Sequence, residues 1–401
     1  MFKSIILRPS STDNRVDVGV LAEAMVFYQD VELFLGEGAL ENLVRQIGIE
    51  GLFALLGSGH LRLTCLLDIA ATHQETRAGR EVYDFGTVRP FRRDGTDYDP
   101  LDILTRVFDR ATAKRGKSRR TANQLVGSVN FQIIGTGIAD PAGVSGLARL
   151  DLDDREYVQS AVGDALHSMM PGYSLPSGWR FAVHRTQQEV LVETNLDLPT
   201  LNREYAKLPH LGHGDSITIA GLICWIQEAR ADIHLASQRN AELATNEISA
   251  SIIRRKFRNI IKVTNLDEVK LFTEITLGDG KAIREAINTG SRGIQDLLNL
   301  LDEADRFLDW VDGVPEDSNL VGEYARAVTH RGWSERLPSK LTRFFVFSAV
   351  GVLASARTDG LAGVLTSVAL TAADDLLLDR LISGWKLSQF VTGPLAAFTE
   401  E

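Results

Sequence analysis

Cysteine is scarce in this chain. Its 401 residues hold only Cys65 and Cys224, too few for a disulfide framework. Both sit among apolar neighbours (LRLTCLLDI and AGLICWIQE), the setting of buried thiols, so a reducing, cytoplasmic compartment is expected. Long apolar runs are also missing. The opening MFKSIILRPSS has three consecutive aliphatic residues, short of the roughly 7–15 that form the core of a signal peptide. No stretch reaches the roughly 20 apolar residues that a membrane-crossing helix needs. Positive charge is in deficit. Lys and Arg number 43 against 53 Asp and Glu, a formal net charge of −10, shared about equally between the two sides of Ser216. With no basic domain set against an acidic tail, nucleic acid is not an expected partner. Internal repeats and low-complexity segments are absent.

What is present describes a core-forming globular protein. A hydrophobic fraction of 44% and a charged fraction of 24% are ordinary for that class, and the length suggests two or three domains. Val31–Leu35 and Leu61–Leu67 are expected strands. Gly38–Ile47 and Gly51–Leu56 are expected helices, with Gly59 as a stop signal. Together they suggest a small α/β unit over 1–90. A second α+β region over 91–212 carries the basic loop Lys114–Arg120 (KRGKSRR), a possible docking strip for phosphate or an acidic partner. The same region has a strand at Ser128–Ile134 and a helix at Asp153–Met169. Two strands, Arg180–Arg185 and Glu189–Thr194, are spaced as a hairpin.

From about 213 the pattern turns helical, and 213–401 is expected to be an all-α bundle. The overall expectation is an α+β fold, a mixed α/β region followed by a helical bundle. Leu222, Ile226, Ala229, Ile233, Ala236, Asn240 and Leu243 recur at alternating intervals of four and three, which places them on one helical stripe. Two uncharged stretches follow, Phe344–Ala356 and Gly360–Ala373, separated by Arg357-Thr358-Asp359. They are expected to form the two legs of a buried apolar helical hairpin over 344–373.

Candidate chemistry is sparse. Gly214-Asp215-Ser216-Ile217-Thr218 resembles the nucleophile block of the SGNH (GDSL-type) hydrolases over five residues, and that resemblance implies a catalytic Ser216. The family's Asp-x-x-His, which would supply base and orienter, has no counterpart downstream, and a serine hydroxyl without a base is a poor nucleophile. Asp215 and Ser216 also suit a helix N-terminus. His210 and His213 lie in the same loop as a candidate pair of metal ligands, short of the three or four that a zinc site needs. Asp151, Asp153 and Asp154 (LDLDD) could chelate Mg²⁺, but helix capping accounts for such a cluster equally well. Gly135-Thr136-Gly137 lacks the third glycine and the helix of a dinucleotide loop.

No cofactor is expected. The sequence points to a cytoplasmic protein that acts by binding and assembly through its helical C-terminal region, with a protein partner or self-association, and without membrane contact in its resting state. Two alternatives remain: an effector, of toxin or immunity type, whose apolar hairpin perturbs membranes, and a serine hydrolase using Ser216. Enzymatic activity is the lesser expectation.

Overall fold

The computed structural model describes residues 4–9, 14–89, 99–112, 117–135, 144–185, 190–208, 216–239, 241–264, 272–275, 281–312, 342–346 and 398. The fold is mixed α/β, with two sheets. In chain order the first half runs β1 (Ser4–Arg8), α1 (Val18–Phe27), β2 (Asp30–Leu35), α2 (Glu37–Gly57), β3 (Leu61–Leu66), β4 (Ile69–Arg77), β5 (Arg80–Val88), α3 (Pro100–Ala111), α4 (Ser118–Leu125), β6 (Val129–Gln132), α5 (Val144–Leu152) and α6 (Arg155–Met169). It continues with β7 (Phe181–Arg185), β8 (Val190–Thr194), α7 (Leu198–Tyr205), α8 (Ile219–Arg239), β9 (Glu242–Thr245), α9 (Glu247–Thr264), β10 (Phe272–Ile275), α10 (Lys281–Asn288), α11 (Ile294–Asp312) and β11 (Thr342–Val346).

The main sheet has the order β10-β11-β9-β1-β2-β3-β6. The five strands from β9 to the edge strand β6 are all parallel. Parallel strands covered on both faces read as near-continuous apolar runs, as in SIIL of β1 and DVELFL of β2. Their period of two divides the residues between two cores. Ile5, Leu7, Val31, Leu33, Leu63 and Cys65 face a core built with α1, α2, α3, α4, α10 and α11. Ile6, Phe34, Leu66 and Leu243 face the other, built with α5, α6, α8 and α9. The second sheet, in the order β4-β5-β8-β7, is antiparallel and joins this second side. Helix α1 (VGVLAEAMVF) is apolar nearly all round, as a doubly covered helix must be. Gly19 lets it approach α10 closely, since a Cβ there would lie 2.5 Å from the Arg284 carbonyl oxygen.

Several expectations are revised. The stretch expected to be all helical contributes β9, β10 and β11 to the main sheet. β9 pairs in parallel with β1, so residues from the first and last parts of the chain share one sheet. The helical stripe that seemed to continue to Leu243 ends at Arg239, and Leu243 is in β9; Asn240 lies outside the described residues. Phe344-Phe345-Val346 form β11 and do not begin a helical leg. Aromatic and β-branched residues suit that strand. The rest of the proposed hairpin, 347–373, lies outside the described residues. Part of the basic stretch is helical: Arg119 and Arg120 are exposed on α4, and 114–116 lie outside the described residues. Among the described residues no helix is long and apolar enough to cross a membrane.

Candidate functional site

Strand topology singles out one edge of the molecule. The chain leaves β1 for α1 on one face and leaves neighbouring β9 for α9 on the opposite face. Where such connections diverge, the carboxyl ends of parallel strands border an open crevice. A cleft of about 390 Å³ lies along this edge, within the size range of small-molecule sites.

Each wall has a local origin. β1 ends in Arg8, followed by Pro9, and β2 contributes Phe34 one residue before its end and runs through Gly36 into α2. β3 supplies Leu66 and Leu67, and α3 adds Ile103. Ile69 and Val88 are directly paired across the base of the β4–β5 hairpin. They are 48% and 54% exposed and form an apolar rim to the cleft.

Opposite this apolar wall stands the start of α2. Gly36 is its N-cap and supplies no side-chain cap. The helical ladder begins with the Leu40 amide donating to the Gly36 carbonyl at 3.0 Å. The amides of Glu37, Gly38 and Ala39 precede that bond and have no hydrogen-bond acceptor among the described residues. Such orphan amides, together with the helix dipole, favour negative charge. The Glu37 carboxylate is already engaged: Arg106 donates to it at 2.7 Å and Arg110 at 3.1 Å. This clamps α3 to the first turn of α2. Gly38 is packed against Asn14, whose side chain a Cβ would meet at 2.9 Å, and Asn14 itself adopts a positive φ of 51°.

Arg8 is the buried cation of the cleft, only 6% exposed. Its Nη1 donates to Asp232 Oδ1 and, at 3.2 Å, to the Glu228 carbonyl on α8. Thr245 donates to the other Asp232 oxygen and ties β9 into the cluster. Burial alone would lower the Arg8 pKa, but Asp232 and then Glu228 outweigh it and hold the pKa above its ordinary value. Arg8 is therefore a permanent cation. At the end of β3, Asp68 accepts from the Ile134 and Gly135 amides at 2.6 and 3.0 Å, fixing the loop after β6 beside the hairpin.

The residues singled out from sequence are elsewhere. Ser216 is exposed and makes no hydrogen bond to a histidine or carboxylate among the described residues. Gly214, Asp215, His210 and His213 lie outside those residues. The helix begins later than expected: α8 is capped by Thr218, whose Oγ1 accepts from the Gly221 amide at 3.0 Å.

The LDLDD aspartates diverge. Asp151 is buried against Arg230, whose Nε donates at 2.7 Å, and against Lys256. Asp153 pairs with Arg185 at 2.7 Å, and Asp154 caps α6 by accepting from the Tyr157 amide at 3.0 Å. Among the described residues no group of three or more His, Cys, Asp or Glu could hold a metal ion.

Two cleft features went unnoticed in the sequence. The segment VELFL-GEG-ALENL contains a strand, a glycine-flanked turn and a helix in immediate succession. That order was the available signal for the α2 N-terminus. SIILR is a strand whose last residue is charged, a sign that its side chain meets a partner at the sheet's edge. Comparisons with family models, with curated proteins and with solved structures find no match.

Proposed function

We propose that the chain is a binding protein and that it takes a small ligand in the cleft at the carboxyl edge of its parallel sheet. The observation that carries this is a cleft bordered by the carboxyl ends of the parallel strands β1, β2 and β3, the side of an open α/β sheet on which ligands usually bind. Binding is favoured over turnover because no Ser, Thr, Cys, His or Lys lines the cleft among the described residues. The carboxylate that lines the cleft, Glu37, could serve as base or nucleophile, but it is held by Arg106 and Arg110. One buried thiol, Cys65, and one half-buried thiol, Cys224, suit a reducing, cytoplasmic setting.

An uncharged solvatochromic dye, Nile red, tests the cleft directly. Its emission should shift blue and strengthen with the native protein, and the gain should vanish in Ile69→Lys and Val88→Lys. Both positions are exposed, so these variants should fold normally. Absence of any gain, or a gain that both variants retain, would refute the cleft as the ligand site.

A further inference from the structure

We infer that the cleft takes an uncharged, mainly apolar molecule carrying one amide-like group, and that the Asn14 carboxamide is the side chain that reads this group. This rests on the cleft being the ligand site and specifies what enters it. Among the described residues, three polar side chains line the cleft: Arg8, Asn14 and Glu37. Two of them are neutralised inside the protein. Arg8 is paired with Asp232, and Glu37 with Arg106 and Arg110. A charged ligand would give up its hydration there and meet no free counter-charge, which is a net cost. Glu37 also supplies the negative charge that the start of α2 favours, so the helix adds no demand for an anion.

Asn14 is the exception. It is exposed, and its carboxamide makes no hydrogen bond among the described residues. Packing holds it in place. The carboxamide lies against the first turn of α2, where a Cβ on Gly38 would sit 2.9 Å from its Cγ and Oδ1 and 3.1 Å from its Nδ2. Glycine at position 38 therefore makes the room that this group occupies. The Asn14 backbone has a φ of 51°, a region that Asn enters more readily than most side chains. A carboxamide offers an acceptor oxygen and two N–H donors, and a second amide matches both kinds at once. The facing wall of Phe34, Leu66, Ile69 and Val88 contributes no hydrogen-bonding side chain. Ile69 and Val88 are about half exposed, an apolar patch of the kind that marks a binding surface. A neutral polar group set against hydrocarbon is the common make-up of a small-molecule pocket.

The probes share one naphthalene body and differ in the head: 2-naphthamide, 2-methylnaphthalene, 2-naphthoate and 2-naphthylmethylammonium. Each competes with Nile red on the full chain at constant ionic strength, with the dye's own affinity measured for every variant. 2-Naphthamide should displace the dye at least about tenfold more effectively than either ion. Asn14→Gly is the decisive variant. Glycine accepts the positive φ without strain, so the backbone is kept and the carboxamide is gone. This variant should bind 2-naphthamide about three- to tenfold more weakly, the share of one or two hydrogen bonds, and should bind 2-methylnaphthalene as before. Asn14→Asp, which keeps the shape and adds a charge, should favour the ammonium over the amide.

Nile red binding with no displacement by 2-naphthamide, or with either ion competing as well as the amide, would overturn the ligand class and leave the cleft standing. Unchanged affinity of Asn14→Gly for 2-naphthamide would overturn the role of Asn14. Equal loss of 2-naphthamide and 2-methylnaphthalene in that variant would do the same, since it would report a change of shape and not of hydrogen bonding. Binding of neither Nile red nor any naphthalene would overturn both readings.

Discussion

Replacing Asp151 by Asn should destabilise the protein severely, because its carboxylate neutralises two cations in the interior. Asp151 lies in the last turn of α5, where the helix dipole disfavours an anion. Its side chain is 3% exposed, that of Arg230 4% and that of Lys256 19%. Burial by itself would raise the Asp151 pKa, but Arg230 and Lys256 reverse this and hold it below the ordinary aspartate value. Asparagine keeps the shape and removes the charge, leaving Arg230 buried without its counter-ion. Breaking a buried pair in this way costs about 3–5 kcal/mol, a large share of the roughly 5–15 kcal/mol that holds a typical protein folded.

Urea unfolding at neutral pH, with unchanged m values, measures the loss. Asp151→Leu combined with Arg230→Met should cost less than the two single changes added together, since the double variant removes the most deeply buried cation with its partner and leaves only the more exposed Lys256 without a counter-ion. The pH dependence has a definite sign. The folded pKa is depressed, so the contribution of Asp151 is present above its unfolded value of about 3.9. It is lost as pH falls through the folded value, and the gap between wild type and Asp151→Asn should narrow in that acid range. A loss below about 1 kcal/mol, or strict additivity with Arg230→Met, would refute the inference that these charges depend on one another.

The start of α8 allows a sharp comparison. Thr218→Ala should cost about 1 kcal/mol of stability through loss of the N-cap, whereas Ser216→Ala, two residues earlier and exposed, should leave the thermal midpoint unchanged; equal effects would mean that the helix is capped differently. Cys65 and Cys224 both have thiol pKa values pushed up to about 12, chiefly by burial. Native protein at mildly alkaline pH should therefore react slowly with a disulfide reagent and quickly once unfolded, and fast labelling of the native state would contradict that burial. At the tip of the β4–β5 hairpin, Ala78 is held at a φ of 50°, a region that costs a non-glycine residue about 1–2 kcal/mol. Ala78→Gly should raise the unfolding midpoint, although glycine's larger unfolded-state entropy returns about 0.4–1 kcal/mol of the gain; a lowered midpoint would count against the assigned turn.

Local pattern was enough for elements that announce themselves. Strands β2 and β3, helix α6 and the β7–β8 pair follow from apolar alternation, helical spacing and turn residues, and each lies within a residue or two of its expected bounds. Pattern misled where two structures share one spacing. Leu243 continues the interval of the α8 stripe, yet it belongs to a four-residue strand. ELAT becomes β9 because the slot beside β1 completes the hydrogen bonding of the sheet, a fact that no short window contains. The α8 stripe was also only half of that helix. Gln227, Glu228, Arg230 and Asp232 are buried as well, because α8 lies between the main sheet and the β4–β5 hairpin.

By itself the sequence determined the chemistry available: two shielded thiols, a net negative charge, no long membrane-crossing run, and strands apolar enough to be covered on both faces. Tertiary structure alone decided where that chemistry meets. Asp151, Asp153 and Asp154 look like one cluster along the chain and are drawn to three different partners by α8, β7 and the start of α6. Arg8, Gly36 and Val88 look unrelated and border one cleft. The physical reason is that helix and strand periodicities are set by neighbours a few residues apart, whereas a cleft at a sheet's edge is set by strand order, which depends on contacts between residues scores of positions apart.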